Sequence, residues 1–409
     1  MKITVLKSLT FENPDKADVV IFDSYSERHF RPVLKGAISL VFDTSLSKLN
    51  FWILVYSLRF GLPSLRNYFC AFVHLSGAKV VVTTIDNSPV IYQVKDVIPT
   101  VILIVVQNGR RSTFGRSPNT SFTDELLKNS KRRRNAVDYY FTFGTTEISQ
   151  FQNLVETTFL PIGSMKNNYL EVETRKELQK IVSYISSFPN FDSDPSASVD
   201  SDDTYLFFQD QPISFRQYFR SEGLVAQWLA QYCASHGFNF QIVGKRSSRT
   251  FQEEEYFRKL IPGSWNFVPC NSERDSYDAL MQSDVVASVD STLAYEMFGR
   301  GIRTMFFTVR STFIECPELL CTRFGYPEIP ESSGPMWTNN YDFSEFNQIA
   351  DFVTNCSDDE WQSVVETYSP VVMKFDPLNF TLMNTIFQHL EKHPPAAETV
   401  RAMVAEVYG

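Results

Sequence analysis

Short apolar runs alternate with stretches of helical period along most of this chain. In the first 170 residues the runs fall at 19–22, 38–42, 80–85, 101–106, 139–143 and 159–162. They are too continuously apolar to show one face to water, which suits strands of a parallel sheet covered by helices on both sides. Helical segments fit between them, notably 65–75 and 89–97, so the pattern predicts βαβ units. From 169 to 185 it predicts one charged, amphipathic helix. An Asp, Ser and Pro-rich stretch, 188–203, then reads as a linker.

The second half repeats the plan. A strand at 205–208 precedes Gln209 and Asp210, and a long helix runs to His236. A strand at 240–243 leads into Gly244, Lys245 and Arg246, a short strand covers 266–268, and a helix covers 277–281. The most informative stretch is 283–307. There an apolar run ends in Asp290, Ser291 and Thr292, a short helix follows, and a second apolar run begins after Gly301. Helices are expected again at 343–354, 358–366, 379–392 and 396–407. The chain thus divides into an N-terminal Rossmann-like domain (1–168), a helix and acidic linker (169–203), a second Rossmann-like domain (204–375) and C-terminal helices packing along or across the domains (376–409).

Ligands of such sheets bind at the carboxyl ends of the strands, and a helix start there favours a phosphate through its free N–H groups and dipole. Asp290, Ser291 and Thr292 are also ordinary helix caps. Glu296 separates the two readings, because a capping box would need its acid at 293, 294 or 295. One turn beyond Thr292 on the same face, it suits a sugar hydroxyl beside a bound phosphate. Gly244, Lys245 and Arg246 lack the spacing of a phosphate-binding loop. Two cations straight after a strand still suit a diphosphate, against the alternative of a solvent-facing turn. Asp86 is either a cap or a general base at a strand end. Asn108 and Gly109 mark a tight turn, and Arg110 and Arg111 after it suit an anionic substrate.

Composition narrows the classes. The chain has 409 residues, 43% of them hydrophobic, with 36 Phe and 18 Tyr, enough for two domain cores. A net charge of −9 argues against a general nucleic-acid binder. Six cysteines and five histidines show no metal-ligand spacing. No signal peptide or membrane span is evident, and a cytoplasmic protein with reduced thiols is expected. The basic run 131–134 is either a solvated loop or a patch for lipid phosphates, allowing peripheral contact with the inner membrane.

The chain resembles glycosyltransferases of the two-domain GT-B fold. It is most similar to bacterial surface-carbohydrate proteins of lipopolysaccharide or O-antigen assembly, including relatives of β-Kdo transferases. The residues that carry the likeness are 84–87 (TIDN), 107–111 (QNGRR), 143–144 (FG), 163–168 (GSMKNN), 244–246 (GKR) and 288–296 (SVDSTLAYE) followed by Gly301. The resemblance implies an N-terminal acceptor domain, a C-terminal nucleotide-sugar domain and reaction in the cleft between them. It implies no cofactor or metal beyond a nucleotide-sugar co-substrate, with a CMP-linked ulosonic acid such as Kdo as donor and a lipid-linked or polysaccharide acceptor. Gly244, Lys245, Arg246, Ser288, Asp290, Ser291 and Thr292 would hold the donor, with Glu296 on its ribose. Asn108 to Arg111 would meet the acceptor. Asp86 is the candidate base for one route, Asp210 the candidate nucleophile for the other. A polyol-phosphate transferase, a nucleotide-sugar 2-epimerase and a non-catalytic scaffold of polysaccharide assembly are the alternatives.

Overall fold

The computed structural model describes residues 8–110, 114–131, 134–170, 179–189, 198–245, 250–316 and 318–408. They form two compact units, one of Met1–Arg110, Thr123–Leu170 and Lys374–Gly409, the other of Arg111–Phe122 and Glu171–Met373.

The first unit is built on a parallel sheet of six strands: β1 (Val19–Phe22), β2 (Ser39–Phe42), β3 (Val80–Thr83), β4 (Ile102–Val106), β5 (Ala136–Thr142) and β6 (Glu156–Pro161). Their order is β2-β1-β3-β4-β5-β6. All six are the apolar runs named above, and β1 and β3 are buried at every position because helices cover both faces. After β1 the chain turns into α1 (Ser24–Phe30), capped by Asp23. The segment expected to be helical at 89–97 keeps only a single 3-10 turn, Ile91–Gln93. The loop before it is held tight by Tyr92, which donates its hydroxyl to the Asp86 carbonyl at 2.6 Å.

The second sheet has the strands β7 (Ile181–Ile185), β8 (Asn239–Val243), β9 (Asn266–Val268), β10 (Val285–Ser288), β11 (Thr304–Phe307) and β12 (Trp337–Thr338). They are parallel throughout, in the doubly wound order β9-β8-β7-β10-β11-β12. Here the sequence reading needs correcting. Ile181–Ile185 is not the end of a helix but the central strand of this sheet. Thr204–Phe208 is not in the sheet at all. It pairs antiparallel with Gln211–Ser214 and Phe114–Gly115 in a separate three-stranded sheet. The helices that matter below are α2 (Phe215–His236), α3 (Thr250–Leu260), α4 (Glu273–Met281), α5 (Thr292–Gly299) and α6 (Arg310–Ile314).

The C-terminal helices α7 (Phe380–Leu390) and α8 (Ala397–Tyr408) belong to the first unit. Leu382, Met383, Ile386, Phe387 and Val400 join Val19, Ile21, Val80 and Ile104 in one core. No helix among the described residues is long and apolar enough to cross a membrane.

Candidate functional site

In each sheet the strand order reverses once, and the crevice at such a reversal is where open α/β sheets bind ligands. In the second unit the reversal lies between β7 and β10. The carboxyl end of β10 delivers Val289, Asp290 and Ser291 to the start of α5.

Three polar residues stand before that helix, and none of them caps it. Ser291 occupies the N-cap position but makes no side-chain cap hydrogen bond. Ser288, fully buried, accepts from the Ser291 backbone N–H at 2.9 Å. Asp290 is drawn the other way: Arg310 donates to it through Nε at 3.2 Å and Nη2 at 2.8 Å. The first amides of α5, those of Thr292 and Leu293, are therefore left without a side-chain cap, and the positive helix end faces no carboxylate of its own. One turn in, Glu296 is 6% exposed and accepts the Tyr277 hydroxyl of α4 at 2.5 Å. That bond fixes one carboxylate oxygen, and the Arg300 guanidinium lies in the field of the same carboxylate.

The turn after β8 is shaped by close packing. A side chain at Gly244 would meet the Phe267 ring at 2.7 Å. The backbone N–H of Lys245 is held by the buried Glu253 of α3 at 3.0 Å, while the Lys245 side chain is exposed. Arg246 lies outside the described residues.

Arg310 is the functional-type residue that the sequence reading missed. It is 1% exposed, donates Nη2 to Glu222 Oε1 at 2.9 Å and Nη1 to the Tyr218 carbonyl at 2.5 Å, and stacks over the Tyr218 ring at 3.8 Å. Burial by itself would lower its pKa, but Asp290, Tyr218 and Glu222 hold it well above its ordinary value. The available signal is a cation three residues after an apolar strand, much as Lys245 stands two residues after β8. Its carboxylates come from 20 and 88 residues away, and no local pattern reports them.

In the first unit the reversal lies between β1 and β3. Asp86 follows β3, but its side chain points into the fold: it is fully buried and accepts the Tyr140 hydroxyl of β5 at 3.2 Å. After β4, the buried Gln107 ties its loop down, accepting from Phe143 N at 2.9 Å and donating to the Gly109 carbonyl at 3.1 Å. Asn108, Gly109 and Arg110 are half-buried beyond it, and Arg111 lies outside the described residues. Glu147, also not singled out by the sequence reading, is fully enclosed at the carboxyl end of β5. Burial pushes its carboxyl above the ordinary range, with Arg110 opposing. Its three-residue spacing from Gly144, whose N–H it accepts at 3.1 Å, was the available signal.

Asp210 is corrected in place. It lies exposed in the two-residue turn between Thr204–Phe208 and Gln211–Ser214, not at the carboxyl end of a parallel strand. Of the basic run, Lys131 is exposed, Arg134 pairs with Glu156, and 132 and 133 lie outside the described residues.

The fold is that of known two-domain proteins. A structure from Listeria monocytogenes titled "putative UDP-N-acetylglucosamine 2-epimerase" is 11% identical, covering 94% of this chain and 97% of its own at a TM-score of 0.50. The S. aureus MnaA–UDP structure (10% identical, 94% and 97% covered, TM-score 0.47) is also similar, as is the wall teichoic acid polymerase TagF in its H444N variant (11%, 93% and 90%, 0.46). The likeness to the Listeria protein places the chain in the GT-B architecture of two Rossmann-like domains. No curated protein matches the sequence. A family profile described as "putative O-antigen biosynthesis protein" matches residues 104–390, well over half of the chain.

Proposed function

We propose that this chain, which belongs to the family described as "putative O-antigen biosynthesis protein", is a glycosyltransferase that moves a sugar from a nucleotide donor onto a surface-polysaccharide or lipid-linked acceptor. One observation carries the reading. At the strand-order reversal of the second unit, a helix start with three polar residues before it is capped by none of them, and Glu296 stands one turn in, held by Tyr277. A plain structural helix would satisfy its first amides with Ser291 or Asp290. Here Arg310 removes Asp290 from that role, which also neutralises the carboxylate nearest to an incoming phosphate.

On this reading the donor phosphate sits on the α5 amides and the Ser291 and Thr292 hydroxyls, the ribose bonds to Glu296, and Lys245 offsets charge on the departing nucleotide. Transfer then joins the acceptor oxygen to the anomeric carbon while the nucleotide phosphate leaves with the bonding electrons and the acceptor's hydroxyl proton passes to that phosphate or to solvent. Two carboxylates stand out in the sequence for activating that step. Asp210 faces solvent and Asp86 is enclosed by tyrosines, so the reading gives the step to neither. A CMP-linked ulosonic acid is the donor that the family likeness favours, and contact with the inner membrane through a lipid-linked acceptor follows from the same likeness.

Calorimetric titration with CMP, UDP and GDP tests the donor half. One nucleotide should bind, and Glu296→Gln should weaken it about tenfold or more, as expected for a hydrogen bond to a charged group. Lys245→Ala should weaken a nucleoside diphosphate more than the nucleoside. Unchanged affinity in both variants would contradict the assignment, and failure to bind any of the three would favour the scaffold reading.

A further inference from the structure

The first unit carries a polar cluster of its own. It lies beside the β1/β3 reversal, where Ser26 of α1 and Thr84 after β3 share a hydrogen bond of 3.0 Å between their hydroxyls. Next to Ser26, Tyr25 is 39% exposed. Lys166, from the loop after β6, donates to its phenol at 3.1 Å. Asn108, from the loop after β4, and Arg28, one turn along α1, both act on that phenol electrostatically, and the Arg28 guanidinium lies 4.9 Å from the ring centroid. Three separate elements thus bring an ammonium, a guanidinium and an amide to act on one phenol.

The local field agrees with the geometry. Burial would raise the Tyr25 phenol, yet Lys166, Asn108 and Arg28 bring it below its ordinary value. His29 is 1% exposed, its ring 5.2 Å from that of Tyr25 and edge-on to it. Burial, Lys166 and Arg28 together hold its imidazole down to about 3. Its Nδ1 meets the Tyr408 hydroxyl at 2.7 Å, and Nε2 has no hydrogen-bond partner among the described residues. The nearby carboxylate of Asp23 is engaged by the Tyr25 backbone N–H and the Thr44 hydroxyl. In a chain of net charge −9, this is a concentrated positive site at the edge of the sheet where ligands bind.

We propose that Tyr25, Arg28, Asn108 and Lys166 form a phosphate site of the first unit, which takes the phosphate or diphosphate of the acceptor. Donors arriving from three directions suit the three oxygens of a phosphate better than the two coplanar oxygens of a carboxylate. The acceptor role rests on the transferase reading, whereas the phosphate site does not.

The test titrates the full chain with inorganic pyrophosphate and with geranyl diphosphate. Both should bind, and Lys166→Ala should weaken both about tenfold or more while Lys166→Arg restores much of the affinity. Nucleotide affinity should be unchanged in Lys166→Ala, and Glu296→Gln should leave the Lys166-dependent binding intact. Tighter binding of geranyl diphosphate than of pyrophosphate would mark a lipid headgroup as the source, and equal binding a soluble phosphorylated acceptor; either supports the site. Pyrophosphate affinity within twofold of wild type in both Lys166→Ala and Arg28→Ala would overturn it. Should nucleotide binding fail while Lys166-dependent pyrophosphate binding persists, the transferase reading falls and the phosphate site stands.

Discussion

Arg310→Met is expected to destabilise the second unit by about 3–5 kcal/mol, the cost of leaving buried charge uncompensated. Arg310 serves Glu222 and Asp290 at once, at 2.9 and 2.8 Å. The two carboxylates will not suffer equally. The Asp290 side chain is 20% exposed and can be rehydrated, whereas that of Glu222 is 3% exposed and, among the described residues, keeps the Tyr184 hydroxyl at 2.5 Å as its one other side-chain hydrogen bond, with Lys245 acting on it only through its charge. Adding Glu222→Gln to Arg310→Met should therefore return a substantial part of the loss, whereas adding Asp290→Asn should return little. Four of the five tryptophans, Trp228, Trp265, Trp337 and Trp361, belong to this unit, so the urea dependence of their fluorescence reads the effect. A loss below about 1 kcal/mol would mean that water already reaches the pair.

Gly163→Ala should be comparably damaging in the first unit, for a backbone reason. Gly163 has φ +80, and a Cβ there would lie 1.7 Å from the Lys374 carbonyl oxygen. Lys374 is where the chain re-enters this unit, its N–H bonded to the Phe143 carbonyl at 2.8 Å. The clash cannot be relieved by a side-chain rotation. It must move the strand end or the segment that leads into α7 and α8, both of which bury apolar groups in the core. Left-handed strain of about 1–2 kcal/mol and overpacking of about 1–3 kcal/mol add to roughly 2–5 kcal/mol. Gly36→Ala is the control, since Gly36 has φ +97 with nothing within 4 Å of the added carbon. Scanning calorimetry should show Gly163→Ala well below Gly36→Ala in transition temperature. Equal shifts would mean that only the dihedral matters.

How much of this the sequence shows depends on whether the cause is local. The inner strands β1, β3 and β4 are legible because burial on both faces leaves an uninterrupted apolar run. β7 is hidden by the opposite circumstance. Its middle residue, Ser183, is fully buried but polar, and its hydroxyl meets those of Ser283 and, through its amide, Gln241. That interior polar network breaks the apolar run, and the charged residues before it, of which 171–178 lie outside the described residues, extend the helical period in the sequence. Thr204–Phe208 shows the converse, an apolar strand whose partners are a hairpin mate and Phe114–Gly115 rather than the main sheet. At the site, Glu296 is legible because a fixed spacing separates it from a capping box. Arg310 and Tyr25 are not, because what makes them notable arrives from elsewhere in the chain: Glu222 and Asp290 for one, Asn108 and Lys166 for the other. Asp86 and Asp210 show the limit of reading carboxylates by their position after a strand, since one turns inward and the other lies in a hairpin turn.

The central claim is that the uncapped start of α5 holds the donor phosphate. Amide hydrogen exchange across 285–299, with and without the nucleotide that binds most tightly, addresses it directly. The account predicts slowed exchange at Thr292 and Leu293 on nucleotide binding, reduced in Glu296→Gln at a concentration that just saturates the wild type. Nucleotide binding that leaves those two amides exchanging as in the free protein would contradict it.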